Sequence, residues 1–236
     1  MKAKFVYEAM GNVLKGKSEE EIMSSLEYTD LDSNELFIDA ARAGFLPGVK
    51  KALEIGADVH TLDDTALRYA SENNHLDIVK LLIKNGADVH IKNDYPLRWA
   101  SHNGHKDVVE FLLKNGVNVH AQDDEALRTA SFCGNLSTIE LLLKNGADIH
   151  AQNDYALRTA SFYGRLSIIE LLLKNGADIH ASDDYALRWA SRGNHLSIIE
   201  LLLKNGADVH AHDDLALRWA SHEGDKKTIN LLKKWM

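Results

Sequence analysis

The sequence predicts an all-α solenoid of about seven helix-turn-helix units, and three observations carry that prediction. A glycine recurs every 30 residues, at Gly56, Gly86, Gly116, Gly146, Gly176 and Gly206. Five of them precede Ala-Asp-Val-His or Ala-Asp-Ile-His, and the sixth precedes Val117-Asn118-Val119-His120. A second motif holds the same register: Asp184-Tyr185-Ala186-Leu187-Arg188-Trp189-Ala190-Ser191 is one copy, with counterparts beginning at Asp64, Asp94, Asp124, Asp154 and Asp214. Finally, 45% of residues are apolar and only Pro47 and Pro96 interrupt the chain, so there is material for a continuous core and room for many helices.

In chain order, residues 1–33 form an N-terminal leader outside the repeats. Ser18-Glu19-Glu20-Glu21 reads as a capping box that opens a short helix reaching Leu26. Before it, Phe5, Val6, Met10, Val13 and Leu14 have loosely helical spacing. Such a leader either covers the exposed face of the first unit or serves as a docking or targeting peptide. The repeat domain spans 34–236. Residues 34–56 are a degenerate N-terminal cap unit, with Asp39 and Arg42 in place of the repeat pattern and Pro47 where a second helix can begin.

Five full repeats occupy 57–211. In the first of them, one helix is expected from Asp64 to Asn73, with the Asp64 side chain capping its N-terminus. It stops at a position filled along the chain by Gly44, Asn74, Gly104, Gly134, Gly164, Asn194 and Gly224, residue types that tolerate the left-handed conformation closing a helix. A second helix follows from Leu76 to Asn85, with Leu76, Val79, Leu81 and Leu82 as its apolar face, and Gly86 ends it. Residues 212–236 are a C-terminal cap unit, whose Lys226, Lys227, Thr228, Lys233 and Lys234 replace apolar outer positions with polar ones facing water. No unit can bury both of its helices alone, so neighbours must stack about 8–10 Å apart. Ala66, Ala70 and Ser71 let first helices approach closely, and the leucines of the second helices fill the outer layer. That asymmetry predicts a concave side lined by the first helices.

The pattern Leu97, Ala100, Gly104-His105, Val109, Leu112 and Asn115-Gly116 resembles the ankyrin repeat, over roughly residues 34–236. Two features depart from it. The usual period of about 33 is shortened to 30, with the missing residues falling between Asp63 and Asp64, where a β-hairpin finger normally projects. Ala-Leu-Arg also stands in place of Thr-Pro-Leu-His, with a proline surviving only at Pro96. Regular 30-residue versions resemble ankyrin proteins of large DNA viruses and some phages. The resemblance implies a non-enzymatic module that binds a partner protein, host-derived if the viral likeness holds.

Composition narrows the alternatives. The formal charge is −8, a poor basis for binding a phosphate backbone. The single cysteine, Cys133, excludes an intramolecular disulfide framework and fits a reducing compartment. No run of 18 apolar residues exists. A monomeric protein of the cytoplasm is the expectation, in host cytoplasm if viral, with no membrane partner and no cofactor.

Two ladders of polar residues invite chemistry. Arg68, Arg98, Arg128, Arg158, Arg188 and Arg218 stack in register, each with an aspartate four residues earlier, which is expected to neutralise it across one helix face. His60, His90, His120, His150, His180 and His210 recur once per unit. At the repeat spacing they cannot converge on one zinc ion, so they are expected to bond the turns between repeats. No nucleophile elbow, phosphate loop or special pair of carboxylates is present. Every acidic pair recurs unit by unit, as scaffold does.

Function should lie where the copies differ. The residue after the second-motif aspartate varies through Tyr95, Tyr155 and Tyr185, and the residue after the arginine through Trp99, Trp189 and Trp219. The helix ends vary through Asn103, Phe132, Phe162, Tyr163 and Arg192. Aromatics and arginine dominate interface hot spots. Phe132, Phe162 and Tyr163 are expected to form one apolar patch, rimmed by Asn103 and Arg192. The reading is a protein-binding groove. Two alternatives belong to other classes: a single-stranded nucleic-acid binder that uses the arginine ladder and the interleaved tryptophans, and a structural component that self-assembles through the leader.

Overall fold

The computed structural model describes residues 32–236, so the expected capping box at 18–21 and the apolar spacing from Phe5 to Leu14 lie outside the described residues. Fourteen helices and no strand occur among the described residues, which gives the all-helical repeat class that the periodicity predicts. They alternate in pairs: α1 (Ser33–Ala43) and α2 (Leu46–Glu54), α3 (Thr61–Glu72) and α4 (Leu76–Lys84), α5 (Ile91–His102) and α6 (Lys106–Lys114), α7 (Ala121–Cys133) and α8 (Leu136–Lys144). The sequence continues with α9 (Ala151–Phe162) and α10 (Leu166–Lys174), α11 (Ala181–Arg192) and α12 (Leu196–Lys204), α13 (Ala211–Glu223) and α14 (Lys226–Lys233).

The chain divides into two compact units. One holds the described residues to Ala100 together with 105–118. Within it α1 packs on α3, and α2, α4 and α6 pack in sequence. The other holds 101–104 with 119–236; there α7, α9, α11 and α13 stack in one row and α8, α10, α12 and α14 in a second.

Residue size explains the two rows. Ala66, Ala70 and Ser71 are fully buried, as are Ala156, Ala160 and Ser161, so first helices approach through small side chains. Second helices bury Ile78, Val79 and Leu82 or Ile168, Ile169 and Leu172, while Leu76 and Leu81 are only half-buried. Burying such side chains stabilises the fold by about 1.5–3 kcal/mol each. The helix-closing residues adopt the expected left-handed backbone, from Gly44 at φ 77° through Asn74 at 63° and Asn194 at 56° to Gly224 at 73°. Pro47 sits at the start of α2, where its missing N–H removes no helical bond.

Two expectations are corrected. The Asp64 side chain does not cap a helix. Leu62, Asp63 and Asp64 form a left-handed turn (φ 49°, 56° and 48°), and the right-handed helix begins after it. The same turn recurs at Lys92–Asp94, Gln122–Asp124, Gln152–Asp154, Ser182–Asp184 and His212–Asp214. It occupies the place where the hairpin finger is missing. In the terminal unit, Thr228 is fully buried rather than exposed, and its hydroxyl donates to Asp225 Oδ2 at 2.6 Å. It stands in the column of Ile78, Ile168 and Ile198, which faces the core.

Candidate functional site

A left-handed turn of three residues is disfavoured for L-amino acids by about 1–2 kcal/mol per residue, least for asparagine and aspartate, so something must hold it. The third residue does most of this. Asp64 is buried; its carboxylate accepts from His60 Nδ1 at 3.2 Å and from the backbone N–H of Asp88, in the next repeat, at 3.1 Å. The arrangement repeats: Asp94 accepts from Asn118, Asp124 from Asp148, Asp154 from Asp178 and Asp184 from Asp208. Asn34 begins the series by accepting from Asp58 at 2.8 Å. Each histidine of the ladder therefore bonds a turn between repeats, as expected, from His90 at 2.9 Å to His210 at 2.7 Å. Among the described residues no three His, Cys, Asp or Glu side chains converge to hold a metal.

The arginines serve the same turn. Because the aspartates bond histidines, the expected aspartate–arginine pairs do not form. Arg128 Nε and Nη2 instead donate to the carbonyls of Asp123 and Gln122, both at 2.9 Å, and Arg158 reaches Asn153 and Gln152 at 2.8 Å. The fork geometry of guanidinium suits two successive carbonyls. From Arg68 to Arg188 the guanidinium also lies over a tyrosine ring: Arg158 Cζ is 5.6 Å from the Tyr155 ring centroid and 5.1 Å from that of Tyr185, and Arg188 is 4.9 Å from Tyr185. The ladder is thus engaged with the protein's own backbone and rings.

A second clamp escaped the sequence analysis. Just after the residue that closes each first helix, His75 Nε2 donates to the carbonyl of Arg42 at 3.1 Å, and His105 Nε2 to that of Glu72 at 2.8 Å. Asn135 and His195 do the same to His102 and Phe162, at 2.7 and 3.0 Å. The clue was present in the full repeats as a column of hydrogen-bond donors, His75, His105, Asn135, Arg165 and His195, of which Arg165 makes no such bond.

The candidate residues fall in both units. In the first, Tyr95 and Trp99 lie 5.6 Å apart between ring centroids, with Arg68 and Arg98 over Tyr95. In the second, the expected patch forms. Phe132 and Phe162 both meet Tyr163 edge to face at 4.7 Å, and Phe162 meets Trp189 at 4.4 Å. Tyr185 and Trp219 extend the cluster from Trp189, at 5.4 and 5.7 Å. Phe132, Phe162 and Tyr163 remain 41%, 37% and 43% exposed, unusual for rings that could have been buried. With Tyr155, Tyr185 and Trp189 they line a groove of about 190 Å³. Arg158, a member of the arginine ladder, and Thr159, which follows it on the chain, complete its wall. Trp189 is half-buried, and its indole N–H is enclosed without an acceptor. Arg192 is exposed, with its guanidinium 5.0 Å from the Trp189 ring and 5.6 Å from Trp219. Asn103 is exposed at the end of α5. Cys133 lies beside Phe132, its Sγ 3.5 Å from His102 Nδ1. Burial pushes that thiol's pKa up, and the charge of Arg165 draws it partly back.

Comparison with known proteins agrees with the geometry. The family model described as ankyrin repeats (3 copies) matches residues 37–123, 89–153, 122–183 and 157–235. No curated protein matches the sequence.

Proposed function

The chain belongs to the ankyrin-repeat family, whose repeats generally mediate protein–protein interaction, and on that premise we propose that it binds a partner protein through the aromatic groove of its second unit. One observation carries the reading: Phe132, Phe162 and Tyr163 touch one another yet stay about two-fifths exposed. Contiguous exposed aromatics mark interaction surfaces, and such rings supply much of the energy of an interface. The scaffold positions are occupied by repeated Asp, His and Arg contacts, while the groove is lined by residues that differ from copy to copy. No helix among the described residues is long and apolar enough to cross a membrane.

The test compares the full chain with its Phe132→Ala/Phe162→Ala/Tyr163→Ala variant as baits for capture from lysate. Because all three rings are partly exposed, the variant should keep its helical circular dichroism. A protein retained by the first bait and lost by the second is the expected result. Equal capture by both baits would remove the groove from consideration.

A further inference from the structure

The charge around the groove says more about what enters it. His75, His105, Asn135 and His195 all donate to a carbonyl of the preceding repeat. Arg165 holds the same position, but its guanidinium makes no hydrogen bond or ion pair with the described residues. It lies 3.1 Å from the point a Cβ on Gly134 would occupy, just past Phe132 on the chain. On the other side Arg192 stands over two indoles and pairs with no carboxylate among the described residues. Arg158 lines the groove between two tyrosines, and no aspartate or glutamate lines it. This concentration of guanidinium occurs on a chain whose formal charge is −8. Exposed, unpaired charges contribute little to folding, so stability does not account for them.

We infer that the groove takes an acidic peptide segment of the partner, with an aromatic or aliphatic side chain seated against Phe132, Phe162 and Tyr163 and carboxylates on Arg165 and Arg192. The inference rests on the groove being a protein-binding site, as proposed above. A guanidinium that lies face-on to indole still presents its edge N–H groups, which match a carboxylate in bidentate fashion. The acidic remainder of the chain repels such a segment elsewhere, so the field itself directs it to this patch. A nucleic-acid strand fits less well, because the regular arginines that would follow its phosphates are bonded to backbone carbonyls.

The experiment is selection of a random linear peptide library on the full chain, followed by fluorescence anisotropy of a selected peptide and of its Gln-for-Glu, Asn-for-Asp analogue. Enrichment of acidic residues around an aromatic or aliphatic anchor is expected. The neutral analogue should bind about tenfold more weakly, as should the selected peptide to the Arg165→Gln/Arg192→Gln variant, with the gap closing as salt is added. Both side chains are exposed and make no hydrogen bond or ion pair among the described residues, so that variant stays folded. If selected peptides are lost on the triple-alanine variant but show no acidic preference, this inference is overturned and the binding groove stands. If no peptide depends on the groove aromatics, both fall. Tighter binding of an oligothymidylate probe, sensitive to the same arginine substitutions, would overturn the inference in favour of nucleic acid.

Discussion

At the scale of single residues, one repeat position shows how a core tolerates a misfit. Ile78, Val108, Ile168 and Ile198 fill a buried column that Thr138 shares, and the Thr138 hydroxyl is enclosed without a partner. Burying a hydroxyl that way costs about 1–3 kcal/mol. Thr138→Val keeps the shape and removes the stranded group, so stability should rise by about 1 kcal/mol in urea denaturation. An unchanged or lower midpoint would show that the hydroxyl is bonded in solution. Thr228 occupies the same column but donates to Asp225, so Thr228→Val should not share the gain. Such contrasts cannot be read from composition. Thr228 in a lysine-rich stretch looks like a solvent residue, and only its register with the isoleucines shows that it points inward.

At the scale of elements, the left-handed turn is the feature that sequence reasoning missed. The second and third turn residues are always aspartate or asparagine, which is the signal for such a backbone. It was masked because an aspartate before a helix also reads as an N-cap. The turn's first residue varies, and Leu62 is the least suited to φ 49°, being 72% exposed and without a polar group to bond locally. Leu62→Asn should therefore stabilise the fold by up to about 1 kcal/mol, whereas β-branched Leu62→Val should destabilise it. Thermal denaturation of the two variants beside the parent separates these outcomes. The clamp between helices adds a pH dependence. Burial of His75 lowers its pKa from 6.5, outweighing the opposing effect of its bond to the Arg42 carbonyl. The folded state then holds fewer protons than the unfolded state below about pH 6.5, so stability falls as pH drops through that value and levels off below the folded pKa. His75→Asn copies the solution found at Asn135, and this variant should lose less stability than the parent between about pH 7.5 and 5.5. Equal losses would mean that His75 is not the sensor.

At the scale of the whole molecule, the ankyrin class, the pairing of helices and their glycine or asparagine stops were legible, because a 30-residue period repeats the same evidence many times. The aromatic cluster was legible in part: neighbouring copies place Phe132, Phe162 and Tyr163 side by side whatever the details. The roles of the arginines were not, since a spacing of four residues says that two side chains can meet and not that a histidine will take the carboxylate first. Repetition also makes a prediction about excision. Removing residues 151–180 leaves Asp148 bonded to Asp124 and Asp208 bonded to Asp184, and it offers His195 the carbonyl of Phe132, 30 residues earlier, in place of that of Phe162. The shortened protein should fold with unchanged ellipticity per residue and a smaller urea m-value. It should also lose groove-dependent binding, because Phe162 and Tyr163 leave with the block. A chain that fails to fold would show that this repeat is not interchangeable. The buried aspartate has a last consequence, for ancestry. From Asp64 to Asp184, the described seams each offer an aspartate carboxylate to a backbone N–H 24 positions downstream. A gene misaligned by whole repeats during copying therefore encodes a longer or shorter protein whose seams already match, and the aromatic lining is free to be reshuffled while the joinery is inherited intact.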